Sequence, residues 1–308
     1  MQQFESTPNE VLTKELEPSI QYLYDRHMGN TKTWYPHLLI PYSDARDYSP
    51  DELWVPEDSP LEPGLRSALE VNLLTEDNLP HYFETIKHMI DSDIWRAWSN
   101  QWTAEEMRHS IVIRGYIEAR RLIDPVKLEN DRMAQVSGGK VPRPSTIHKG
   151  IAYVALQELA TRVSHANVAK HLAKVEDKVG EKVMSTVAGD EHLHYFFYVD
   201  LGADLIEIDP SSMMIAVANK VIYFDMPGTG IPGFQRHAAA IAKAGIYDLE
   251  AFVNKVARKV LNRWEVWDLE GLNEEAKIAR DGLWTHLDSL DKKIERRSTR
   301  REKTQIDA

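Results

Sequence analysis

One pattern, written twice, constrains the fold of this chain more than any other feature: a lone glutamate followed about thirty residues later by Glu-x-x-His. Glu76 lies 30 residues before Glu106-Met107-Arg108-His109, and Glu158 lies 33 before Glu191-His192-Leu193-His194. The second copy repeats the first at offsets of 82 (Glu76 to Glu158) and 85 (Glu106 to Glu191, His109 to His194). Positions i and i+3 share one helix face, so each paired motif presents a carboxylate and an imidazole together. Spacings of thirty-odd residues suit adjacent antiparallel long helices. Glu76 sits in VNLLTEDNLP and Glu158 in IAYVALQELAT, both apolar neighbourhoods.

A single Glu-x-x-His carries little weight, because 12 histidines make about one such match expected by chance. The order of all six residues carries the argument. One Glu from each of two helices, with Glu-x-x-His from each of two others, is the ligand set of a di-iron carboxylate bundle. Four buried carboxylates are prohibitively costly unpaired. Two divalent ions neutralise them, and oxygen and imidazole donors without sulfur suit iron or manganese. Taken singly, each Glu could be a salt-bridge partner and each His a packed side chain. Glu105 and Asp190 each precede the Glu of their motif, and metal-bound histidines usually donate their free N–H to a carboxylate. The expectation is a crosswise pairing, Asp190 to His109 and Glu105 to His194.

The remaining composition narrows the alternatives. No cysteine is present, which excludes disulfides, thiolate catalysis and iron–sulfur ligation. Lys+Arg number 37 against Asp+Glu 48, a net charge of -11 that argues against broad nucleic-acid binding. No apolar run approaches a membrane span, and mean hydropathy is -0.44. The N-terminus lacks the basic and apolar regions of a secretory signal and is too acidic for a transit peptide.

Helical periodicity runs almost throughout. Helices are expected over 9–28, with Pro18 as a break, over 66–90 with a kink at Pro80, over 94–122, from Asp124-Pro125, and over 146–172 and 175–207. Residues 29–62 read as irregular and 137–144 as a loop. The stretch 210–302 reads as helical, broken at 226–233 and Gly245. No alternating strand pattern occurs. The expected class is all-α, one domain over 1–308 with its core at about 9–290. The basic run 291–308 reads either as a solvated helix end or disordered tail, or as a docking patch for an acidic partner.

These residues resemble the soluble acyl-acyl-carrier-protein desaturases of plastids and actinobacteria. The family motif W-T-A-E-E-x-R-H stands here as Trp102-Thr103-Ala104-Glu105-Glu106-Met107-Arg108-His109. T-E-[ED]-x-L-P-x-Y stands as Thr75 to Tyr82, Q-E-x-A-T-x-x-S-H as Gln157 to His165, and D-E-x-x-H as Asp190 to His194. The similarity runs from about residue 9 to 270. Ferritins share the ligand pattern on chains about half as long. The radical-generating ribonucleotide reductase subunit places a Tyr where this chain has Ile113. Met107, Ser110, His192 and Leu193 depart from the plastid pattern without touching a ligand position.

The resemblance implies a ferritin-like di-iron four-helix bundle with flanking helices. It implies metal ligands Glu76, Glu106, His109, Glu158, Glu191 and His194. Thr161 matches a Thr near the oxygen-binding side, Thr75 a Thr beside the first ligand, and Trp34 the Trp of an electron path running through Asp190 and His109. Plain core packing is the alternative for Trp34. Lys32 matches a basic residue facing the carrier protein; Arg236 and the 292–303 run are further basic candidates. Met89, Tyr153 and Phe197 are candidates for an acyl channel, with ordinary core packing as the alternative. The implied reaction inserts a cis double bond into a fatty acyl chain on acyl-carrier protein, using O2, two iron ions and electrons from a ferredoxin-type donor. A homodimer in the bacterial cytoplasm is implied, with neither nucleic acid nor a membrane span involved. Another di-iron oxidase, such as a hydroxylase or N-oxygenase, or a non-catalytic iron-binding helical protein, are the alternatives.

Overall fold

The helical period is realised as twelve α-helical elements, with no strand among the described residues. The computed structural model describes residues 7–49 and 51–306, with 300–306 as backbone only. Two residues of the basic C-terminal run, 307 and 308, therefore lie outside the described residues, as do the side chains from 300 onward.

Four long elements position the site: α2 (Pro63–Glu76), α4 (Asp93–Ala119), α6 (Ile147–Lys174) and α7 (Lys178–Ile208). Side-chain caps fix where three of them begin. Ser92 Oγ accepts from Trp95 N at 3.2 Å and Thr146 Oγ1 from Lys149 N at 3.2 Å. Asp177 Oδ1 accepts from Gly180 N at 2.8 Å. Each cap satisfies a backbone donor that the helix itself leaves unpaired. Between α6 and α7 the chain reverses within three residues, and Glu176 adopts φ 61° to close the turn. The two helices therefore pack antiparallel, which sets Glu158 opposite Glu191.

Around this core, α1 (Asn9–Asn30) lies across α7 and α4. The short α3 (Leu79–Lys87) follows α2, and α5 (Pro125–Gly138) follows α4. Next come α8 (Pro210–Ile222), α9 (Phe234–Lys243) and α10 (Leu249–Ala251), then a π-helical turn (Phe252–Ala257), α11 (Arg258–Arg263) and α12 (Glu274–Ile306). α12 packs on α8, and α9 packs on α2.

Two sequence expectations need correction. Pro18 does not break α1, which continues through it. Pro18 and Lys14 are both exposed, so water can satisfy the Lys14 carbonyl that loses its helical partner. Pro80 does not kink one long helix. α2 stops at Glu76 and Pro80 sits in the first turn of α3, where a missing N–H costs nothing.

The apolar core falls into two bodies, with a polar layer between them. Along α4, Glu105, Glu106 and His109 separate Trp102 in one body from Val112 in the other. Along α7, Asp190, Glu191 and His194 separate Val187 from Tyr195. The charged positions of different helices thus meet at one height, walled from water on both sides.

Candidate metal centre

Glu76, Glu106, His109, Glu158, Glu191 and His194 all converge in this layer, and none is more than 6 % exposed. They form two overlapping groups. Donor atoms of Glu76, Glu106, His109 and Glu191 lie within 4.8 Å of one another, as do those of Glu106, Glu158, Glu191 and His194. Glu106 and Glu191 belong to both groups and so face both positions. Glu76 with His109, and Glu158 with His194, each face one.

The donor set fits a pair of divalent cations. His109 Nδ1, His194 Nδ1 and Glu106 Oε1 are buried with no hydrogen-bond partner. His194 Nδ1 and Glu106 Oε1 lie only 2.9 Å apart, yet without hydrogen-bonding geometry. Buried polar atoms are rarely left so. Lone pairs aimed at a shared space are what a coordination site requires. The opposite ring nitrogens are occupied: His194 Nε2 lies 2.8 Å from Glu105 Oε2, and His109 Nε2 lies 3.4 Å from Asp190 Oδ2.

The electrostatics of these buried groups show a conflict that cations would relieve. Burial pushes Glu158 well above the ordinary carboxylate range, and the Glu191 charge adds to it. Glu106 is raised for the same two reasons. Burial also acts on Glu191, but contacts from His109 and His165 outweigh it and hold this carboxyl well below the ordinary range. Against its own burial, His194 is raised well above its ordinary value by Glu105, Glu106 and Glu158.

Several partners escaped the sequence reading. His165 is buried, with Nε2 3.0 Å from Glu76 Oε1 and 3.6 Å from Glu191 Oε1. Burial lowers its basicity, but Glu191 and Glu76 raise it to about 9. The only sequence signal was its place in the Ser-His that ends the motif around Glu158. Gln101 and His27 both bond Glu105, at 2.7 and 2.9 Å. Arg108 reaches Asp190 Oδ2 at 3.1 Å and stacks over Trp34, its guanidinium carbon 4.7 Å from the ring centroid.

Trp34 is half-buried and donates Nε1–H to Asp190 Oδ2 at 2.9 Å. Its ring lies within 4° of parallel to His109. Thr161 donates Oγ1–H to Glu191 Oε2 at 2.7 Å, with the Gln157 and Glu158 carbonyls at 3.1 Å as competing acceptors. A void of about 10 Å³, lined by Thr75, Glu76, Tyr82, Trp102, Glu106 and Thr161 among others, adjoins the cluster. Lys32 and Arg236 are exposed.

The three channel candidates do not line one space. Met89 borders an open cleft with Arg143 and Thr146, and Phe197 stacks on Trp98 with ring centroids 3.6 Å apart. Tyr153 tilts against Phe224. The larger apolar space is a groove of about 480 Å³ between α2, α6, α8, α9 and α12. It is lined by Val71, Phe224, Met226, Phe234, Tyr247 and Phe252 among others, with Arg297 at its edge. Val71 in the groove and Thr75 in the void are one turn apart on α2, and Ser164 and Thr161 are one turn apart on α6. A turn is about 5.4 Å, so groove and void are neighbours.

The chain is an all-α, ferritin-like helical bundle that encloses two overlapping, buried Glu/His clusters able to hold metal ions. A family model described as fatty acid desaturase matches residues 8–308. A protein of Mycobacterium tuberculosis described as an acyl-carrier-protein desaturase, DesA1, is 36 % identical over 285 residues, covering 88 % of this chain and 83 % of that protein. The chloroplastic stearoyl-acyl-carrier-protein 9-desaturase of Elaeis guineensis is 26 % identical over 292 residues, covering 88 % and 73 %. The X-ray structure of DesA2 from Mycobacterium tuberculosis superposes with a TM-score of 0.70 at 24 % identity, covering 84 % of this chain and 97 % of that one, and so bears on the fold. The chain belongs to the fatty acid desaturase family. No helix among the described residues is long and apolar enough to cross a membrane.

Proposed function

We propose that this chain is an acyl-acyl-carrier-protein desaturase whose six buried Glu and His side chains hold two iron ions. The observation that carries the reading is the pair of unpartnered Nδ1 atoms, on His109 and His194, among four clustered carboxylates one helical turn from an apolar groove. The overall reaction takes two hydrogens from adjacent methylenes and four electrons in all to reduce O2 to two waters, two of them from an external donor. Bound iron would supply the O2-activating oxidant that no side chain can provide.

The chain's own residues position and insulate. Glu106 and Glu191, which belong to both donor groups, would serve both ions, while Glu76 with His109 and Glu158 with His194 would each serve one. An acyl chain lying in the groove would pass Val71 and Ser164 toward the void beside Thr75 and Thr161, so the depth of the groove would select which carbons react. Thr161 holds a proton at Oγ1, between Glu191 and the void. Trp34, Asp190 and His109 form a bonded line from a half-buried ring to the centre, which suits electron entry from a ferredoxin-type donor. The exposed Lys293, Arg296 and Arg297 of α12 stand near the groove and suit an acidic carrier protein, acting mainly on association rate and salt dependence. The whole chain works as one domain, paired as a homodimer in the cytoplasm.

The test is direct. The iron-loaded protein is given a reduced ferredoxin-type donor, acyl-loaded carrier protein and O2, and the acyl chains are analysed by mass spectrometry. An alkene, two hydrogens lighter than the substrate, is expected. An alcohol would instead identify a hydroxylase, and an unchanged chain with iron bound would refute turnover of this substrate class.

A further inference from the structure

Two ring–carboxylate–imidazole chains flank the centre, one in each half. In the first, Trp34 Nε1 donates to Asp190 Oδ2, the same oxygen that His109 Nε2 approaches. In the second, His27 Nε2 lies 2.9 Å from Glu105 Oε2, and His194 Nε2 lies 2.8 Å from that same oxygen. The stacking is repeated as well. Trp34 and His109 lie 4° from parallel with centroids 6.4 Å apart, and His27 and His194 lie 22° from parallel at 5.7 Å. His27 therefore takes, in one half, the place that Trp34 takes in the other. Both rings come from the N-terminal segment ahead of the internal repeat, so the repeat itself gives no hint of His27.

The two chains differ in what braces the carboxylate. Asp190 Oδ2 has a permanent cation, Arg108 Nη2 at 3.1 Å. Glu105 has none at hydrogen-bond distance, since Arg108 Nη2 stands 3.8 Å from its Oε1. Instead Oε1 accepts from Gln101 Nε2 at 2.7 Å and Thr31 Oγ1 at 3.3 Å, and Oε2 faces the two imidazoles. With Gln101 and Thr31 already donating to this carboxylate, Glu105 serves as the acceptor, and both Nε2 atoms are placed to donate to Oε2. That places the His194 proton on Nε2 and leaves Nδ1 bare toward the centre. His27 is 4 % exposed, with the Trp98 ring edge-on at 5.0 Å.

We infer that His27 is a positioning residue, which through Glu105 holds His194 with Nδ1 toward its metal and makes that one metal position depend on α1. The inference rests on the proposed two-metal centre. Groups two bonds removed from a metal commonly change its affinity about 10–100-fold.

The test is a cobalt(II) titration of the full chain, followed by visible absorption and calorimetry, with circular dichroism to check folding. Wild-type protein is expected to bind two equivalents. In His27→Leu, one equivalent should weaken about 10–100-fold while the other holds its wild-type affinity. His27→Gln, whose amide N–H donates as Nε2 does, should restore it. Trp34→Phe should weaken the other equivalent instead. If His27→Leu does not fold, His27→Phe keeps a ring against Trp98 and still cannot donate. Wild-type affinities for both equivalents in the non-donating variant overturn the inference, as does equal weakening of both or a His27→Gln as weak as the apolar variant. A third equivalent that only wild type binds would make His27 a ligand and overturn it too. Fewer than two equivalents in wild type would sink the two-metal centre itself, which separates the two failures.

Discussion

Replacing Asp190 by Asn tests whether the metal centre is coupled to its outer partners as the geometry requires. Asp190 Oδ2 gathers Trp34 Nε1 at 2.9 Å, Arg108 Nη2 at 3.1 Å and His109 Nε2 at 3.4 Å. An amide oxygen can still accept from Trp34, but the charge opposite Arg108 is gone. One charge-assisted hydrogen bond is worth about 1.5–3 kcal/mol, so the metal-free protein should lose about that much. With metal bound, a second loss is added. His109 is no longer held firmly with Nε2 as donor and Nδ1 bare, and weakening of its metal by about 10–100-fold is worth about 1.4–2.8 kcal/mol. Metal that binds only the folded state transmits that weakening directly to stability. The expected loss is then about 3–6 kcal/mol when loaded. The assay is urea unfolding followed by far-UV circular dichroism, without metal and with saturating ferrous iron under anaerobic conditions. Equal losses in the two conditions, with unchanged metal affinity, would refute the coupling through His109.

Three further outcomes follow from separate parts of the molecule. Thr161→Val removes the donor to Glu191 Oε2 while keeping the shape, so it should bind both metals normally but turn over more slowly, with more O2 consumed per alkene formed; unchanged coupling of O2 to product would clear Thr161 of a role in proton handling. Gly202→Ala would set a Cβ 2.5 Å from Trp264 Cζ2, and that ring is pinned by its bond to Val199 O at 2.7 Å. Such overpacking should cost about 1–3 kcal/mol in denaturant unfolding, and an unaltered midpoint would show that the ring gives way. Asp209 caps α8 by accepting from Ser212 N at 3.1 Å and also accepts from Thr7 N at 3.2 Å. Burial pushes its carboxyl up, but these backbone bonds outweigh it and hold it below its ordinary value of 3.8. Its contribution is therefore whole above pH 3.8 and fades as pH falls through the lowered value. Asp209→Ala should cost about 1 kcal/mol at neutral pH and less in acid, and an equal cost at both would contradict the capping role.

Much of the architecture was legible because it is local. Helix period, proline punctuation and the i,i+3 spacing of Glu106 with His109 and Glu191 with His194 are properties of a few neighbouring residues, and the repeat offset joined them into four helices. Where local signals misled, tertiary surroundings decided. Proline lowers helix stability at Pro18 and Pro80 alike, yet solvent on the exposed face of α1 tolerates one, while the other begins a new helix. Met89, Tyr153 and Phe197 carry apolar side chains at helical spacing, and such spacing says which face is buried without saying against what.

The amino-acid order by itself determined an all-helical chain with six oxygen and nitrogen donors at matched heights, because burying four carboxylates in apolar helices has few physical solutions. Only the folded molecule decided what stands behind Glu105 and Glu76. His27 and Glu105 are 78 residues apart, and His165 and Glu76 are 89 apart. Contacts at such separations follow from how helices cross, and the groove beside the centre follows from where α9 and α12 come to rest. Neither leaves a periodic trace along the chain, since side-chain period records burial and not the identity of the neighbour.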